Sequence, residues 1–183
     1  MSFEEDMRHV EDVLERMHGR FAVANPVDKP SKDTTNLDSL QVTLRHKIAG
    51  ADASPLAIAK VPIDGAFYRK YGKCIAKEAL NRNAVMNLTC FHFNAYMFRQ
   101  LLDKGFSGTI KKGLVGVSTL AGHEFLILYH GCEEQERYLD VWSHLQTGLP
   151  ALCAPSDYGA LLPGTSLRSA YEKKGISVKT TLK

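Results

Sequence analysis

The sequence predicts an α+β domain in which helices pack against a small antiparallel sheet. Three observations carry this. Apolar residues recur at three- and four-residue steps through much of the first half, the period of amphipathic helices. Three short runs of β-forming residues follow, Leu114–Val117, Glu124–Tyr129 and Arg137–Trp142, separated by polar or glycine-containing turns. The 183 residues, 44% hydrophobic and 23% charged, have an ordinary globular composition and suffice for one domain with a sizeable core.

Residues 2–18 read as an amphipathic helix. Ser2 and Glu5 make a capping-box pattern, and Phe3, Met7, Val10, Leu14 and Met17 form one apolar stripe against an acidic face. Residues 24–39 are rich in Pro, Asp, Ser, Thr and Asn and read as a loop or linker. The expected organisation is therefore a helical arm and linker over residues 1–39 and a main domain over residues 40–183. Leu40–Ile48 fits a strand or a short helix, and so does Leu56–Val61, which Pro62 ends. A helix is expected over Ala66–Asn81, with Gly72 as its weak point.

Asn81–Thr89 is a polar, asparagine-rich approach to a second, largely buried helix, which opens at Cys90 and runs to about Lys104. The three β-forming runs should pack on it as antiparallel strands. The polar turn His130–Glu136 places Cys132 near solvent. After Trp142 prolines and glycines break the chain repeatedly, a short helix is expected over Ser166–Lys174, and the tail from Ile176 either pairs as an edge strand or hangs free.

The net charge of +3 and pI near 8.6 come from scattered Lys and Arg, a solvated surface rather than a nucleic-acid footprint. No apolar run approaches the roughly 20 residues of a membrane span. The acidic N-terminus lacks a signal-peptide pattern, so synthesis and folding in a cytoplasm are expected. Export without a cleaved apolar signal stays open. Cys74, Cys90, Cys132 and Cys153 show no compact metal-site spacing and are expected as free thiols.

The chemistry concentrates in three residues. Cys90 stands at a helix start, where unsatisfied N–H groups favour negative charge and can hold a developing oxyanion. His123 follows Gly122 and opens an apolar strand, anchored by Phe125 and Ile127. Asp140 lies inside an apolar run, between Leu139 and Val141, an unfavourable place for a carboxylate without a partner. In a hairpin Asp140 can bond one imidazole nitrogen of His123 and leave the other for the thiol. Asn87 and Asn83 either add oxyanion donors or only cap the helix, and Trp142 is a further candidate for substrate positioning.

The order Asn87-x-x-Cys90, Gly122-His123 before an apolar strand, and Leu139-Asp140-Val141-Trp142 resembles the core of papain-like and transglutaminase-like cysteine enzymes. The resemblance covers about residues 83–145, with the short spacings of compact bacterial effector- or toxin-type members. Phe91 and His92 stand where small residues are common in such families. The likeness implies a papain-like or transglutaminase-like core with Cys90 as nucleophile, His123 as general base and acid, and Asp140 as its orienter. It also implies a protease or glutamine deamidase and delivery into a host cell as an effector.

The expected activity is acyl transfer from an amide of a protein or peptide substrate, with no metal or organic cofactor required. The rival reading is a non-catalytic binding or adaptor protein with a degenerate site, in which the N-terminal helix docks a partner.

Overall fold

The computed structural model describes residues 2–27, 29–82, 84–116 and 122–183. In chain order the elements are α1 (Phe3–Met17), β1 (Phe21–Val23), α2 (Thr35–Ala49), α3 (Pro55–Ala59), α4 (Gly65–Asn81), β2 (Met86–Leu88), α5 (Cys90–Asp103), β3 (Thr109–Val115) and β4 (His123–Tyr129). They continue with β5 (Glu136–Leu139), α6 (Val141–Thr147), β6 (Leu152–Cys153), α7 (Tyr158–Leu161), α8 (Thr165–Lys174) and β7 (Val178–Thr181). The two ambiguous segments are the helices α2 and α3, and the tail pairs as the edge strand β7.

The architecture is α+β. An antiparallel sheet of order β6-β5-β4-β3-β7 carries helices on both faces. Side-chain alternation explains why β4 is so apolar. Leu126 and Leu128 enter the large core shared with α1, α4 and α5, while Phe125 and Ile127 enter a smaller core with Tyr158, Leu161 and Leu162. A strand buried on both faces loses the polar half of its alternation.

The N-terminal segment is built into the large core rather than standing off as an arm. Val10, Val13 and Met17 are buried there beside Phe93, Met97 and Leu101 of α5. Its capping box forms: Glu5 N–H donates to Ser2 Oγ, and Ser2 N–H donates to Glu5 Oε2. Asp6, fully buried, pins the helix to the turn after α5. Its Oδ2 accepts from Ser107 N–H at 2.8 Å, Ser107 Oγ at 2.8 Å and His130 Nε2 at 2.6 Å. A short parallel pair, β1 with β2, then ties residues 21–23 to the segment leading into α5. β2 falls in the stretch read as a polar approach to α5 and β1 in the short gap between the expected first helix and the linker, because three residues are too few for a period to show.

Gly72, the expected weak point of α4, is where α4 and α5 come closest. A Cβ there would run into the Ala95 backbone carbonyl and the Arg99 side chain. Phe91 locks the same crossing from the α5 side. Its ring stacks on Tyr71 at 5.5 Å and meets Tyr68 edge-on at 5.4 Å, contacts worth about 0.5–1.5 kcal/mol each beyond area burial.

Candidate active site

Cys90 is the first residue of α5, preceded by the extended Thr89. His92 helps end the helix there. Its Nδ1 accepts the Thr89 N–H at 3.2 Å, which requires a bare ring nitrogen. Burial pushes its pKa down to about 4 despite the Asp38 carboxylate nearby, so the ring is neutral at physiological pH. Phe91 and His92, unusual after a nucleophile, thus have structural tasks: one packs α5 on α4 and the other caps α5.

His123 opens β4, and Asp140 directly follows β5. The register pairs Leu126 with Leu139, which sets Asp140 beside Phe125 and makes His123 its diagonal neighbour on one face of the sheet. His123 Nε2 donates to Asp140 Oδ2 at 2.6 Å, with the two side chains 2% and 1% exposed. The expected pairing is present.

Its setting differs from the expected strand interior. The β-run ends at Leu139, and Asp140 is the N-cap of α6. Asp140 Oδ1 accepts the Ser143 N–H at 2.9 Å, so the carboxylate both starts a helix and orients an imidazole. Tyr158 adds a third donor, its hydroxyl reaching Asp140 Oδ2 at 2.9 Å. Three donors converge on one buried carboxylate, and this is how a charge is tolerated between apolar residues.

Burial opposes charge on both partners, yet the pair stays ionised. The Asp140 charge and hydrogen bond, with a smaller contribution from Cys90, raise His123 to about 10. The His123 charge and the His123 and Ser143 hydrogen bonds hold Asp140 below its ordinary value. The Tyr158 phenol is pushed far up by burial first and Asp140 second, so it remains a donor.

The other imidazole nitrogen, His123 Nδ1, is buried and has no hydrogen-bond partner among the described residues. Nε2 is committed to Asp140, and Cys90 contributes to raising the His123 pKa. No protein-family model, curated protein or solved structure matches the chain. The chemistry therefore rests on the geometry of this chain alone.

Trp142 is only 5% exposed and lies against His123 with ring centroids 4.5 Å apart and planes tilted by 31°, while its Nε1–H donates to Asn25 Oδ1 at 3.0 Å. It fixes the imidazole plane rather than offering an open surface to a substrate. Asn87 sits in β2 between the buried Met86 and Leu88 and lines a cleft with Asp33, Asn36 and Arg82 that does not contain Cys90. Asn83 lies outside the described residues.

Tyr158, Ser143 and Asn25 were missing from the sequence reading. Ser143 had a signal, because an aspartate three residues before a serine fits a helix N-cap once α6 is recognised. Tyr158 had none, lying in the irregular region after β6. No cluster of potential metal ligands occurs among the described residues. Nor is any helix among them long and apolar enough to cross a membrane.

Proposed function

We propose that the protein is a cysteine-nucleophile amide hydrolase or acyltransferase acting on protein substrates, with Cys90, His123 and Asp140 as its triad. The observation that carries this is the buried Asp140–His123 pair, whose second imidazole nitrogen is not engaged among the described residues, in a fold where Cys90 opens α5.

The Cys90 thiolate sulfur forms a bond to the substrate carbonyl carbon. The carbonyl oxygen becomes an oxyanion, facing the Cys90 and Phe91 N–H groups that the first turn of α5 leaves without helical acceptors. The C–N bond then breaks, and His123 Nδ1–H protonates the departing amine or ammonia. Neutral His123 next takes a proton from water, or from a second amine, as that group attacks the thioester, and the thiolate leaves. A glutamine side chain and a peptide bond pass through the same acyl-enzyme, so protease and glutamine deamidase remain the two forms of this reading. Effector-type delivery into another cell belongs to the same proposal and rests on the resemblance alone.

The test is alkylation of Cys90 by iodoacetamide at pH 6, followed by intact-mass and peptide mapping. Cys90 should react faster than the exposed Cys132, and His123→Ala should slow it at least about tenfold. A rate indifferent to His123 would overturn the triad.

One observation favours a second reading. His123 and Asp140 are almost completely covered, 2% and 1% exposed. A binding protein that keeps the pair as a clamp between β4 and α6 would look the same. It predicts that Cys90 reacts no faster than Cys132.

A further inference from the structure

An apolar hollow lies on the α1 side of α6. It encloses about 450 Å3 between Leu14 and Met17 of α1, Phe21 of β1, Phe93 of α5 and Val141 of α6. That volume falls in the range of roughly 300–1,000 Å3 typical of ligand pockets. Leu145 on its wall is 39% exposed, so apolar surface of the hollow reaches solvent.

Glu11 and Glu15 stand on its rim, one turn apart on α1. Neither forms an ion pair among the described residues, and the nearby Arg16 and Lys104 are both directed to Asp12. The other ionisable groups on the wall are His18 and His144. The rim is thus acidic and unneutralised while the floor is apolar.

We infer that this hollow is a docking site for a basic–apolar peptide segment of a partner protein, taking one or two aliphatic or aromatic side chains inside and a flanking lysine or arginine against Glu11 and Glu15. Opposite charge at the rim sets orientation and encounter rate, and apolar burial supplies the affinity. No triad residue lines the hollow, although its wall residues Val141 and Ala151 adjoin Asp140 through the chain and through the Asp140 N–H to Ala151 carbonyl bond.

The test uses the full chain carrying Cys90→Ala, so that turnover plays no part, and fluorescence anisotropy of three labelled peptides of equal length. One has a central leucine–phenylalanine pair flanked by lysines, one the same pair flanked by glutamates, and one the lysines around glycine and serine. The first should bind at least about tenfold more tightly than either of the others. Glu11→Lys combined with Glu15→Lys should invert the preference between the first two, and Leu145→Glu should weaken the first. All three positions are exposed, so folding is not at stake. Equal binding of the three peptides, no binding of any, or a preference unchanged by the charge reversal would overturn the inference. So would binding of phenethylamine in the absence of any peptide binding, which would assign the hollow to small cationic amphiphiles.

Discussion

The Asp140 carboxylate and the His123 imidazole meet at 2.6 Å in a place that solvent does not reach. The relationship joins the end of β5 to the start of β4 and makes one acidic residue serve as helix cap and imidazole partner at once. Its stability consequences can be measured whether or not the triad turns over a substrate.

Asp140→Ala removes the cap and leaves His123 without its counter-charge. Breaking a buried pair by deleting one partner costs about 3–5 kcal/mol, and urea unfolding should show a loss of that order. Asp140→Asn should lose less, because an amide oxygen can still accept the Ser143 N–H.

The same pair sets a pH window. His123 is raised from 6.5 to about 10 in the fold, so its contribution is complete below pH 6.5 and is lost as pH rises through about 10. Asp140 is lowered from 3.8, so its contribution is present above that value and is lost as pH falls below it. The stability difference between wild type and Asp140→Asn should therefore be greatest between these limits and shrink on both sides. Urea midpoints measured across pH check it, and a difference that grows above pH 8 would contradict the assignment.

His92 acts in the opposite direction. Its pKa falls from 6.5 to about 4 on folding, so the neutral ring stabilises above pH 6.5 and that stability is lost as pH falls toward 4. His92→Ala should cost about 1 kcal/mol at pH 7 through the lost Thr89 hydrogen bond. It should also flatten the acid limb of the wild-type stability profile between pH 6.5 and 4.

Tyr158→Phe keeps a ring packed 4.2 Å from Phe125 and removes only the hydroxyl that donates to Asp140. A hydrogen bond to a charged group is worth about 1.5–3 kcal/mol, and the unfolding free energy should fall by that amount. If the triad operates, the variant should also slow Cys90 alkylation, since the base loses part of its orienting frame.

Gly72→Ala should destabilise, against the gain of about 1 kcal/mol expected from helix propensity alone. The added methyl meets the Ala95 carbonyl, which belongs to the backbone of α5 and cannot turn aside. Overpacking of this kind typically costs about 1–3 kcal/mol, readable as a lowered Tm.

Much of the fold was legible where elements were long. The stripes of α1, α4 and α5 and the run Phe125–Leu128 announced themselves by period and composition, and the capping box at Ser2 and Glu5 formed as read. Leu40–Ile48 proved helical as part of α2, whose apolar residues follow no clear helical stripe. The parallel pair β1–β2 and the cap at Asp140 escaped notice because each depends on a partner distant in the chain or on where a strand stops.

By itself the sequence determined that Cys90 opens a helix, that His123 opens a strand, and that Asp140 needs a partner, because local periodicity and the cost of a buried carboxylate are properties of short segments. Only the tertiary structure decided who the partners are. Strand register brought His123 to Asp140, the turn after β6 delivered Tyr158, and the packing of α6 laid Trp142 on the imidazole. Contacts between residues far apart in the chain are set by how whole elements bury their apolar faces against one another, and no window of the sequence contains that information.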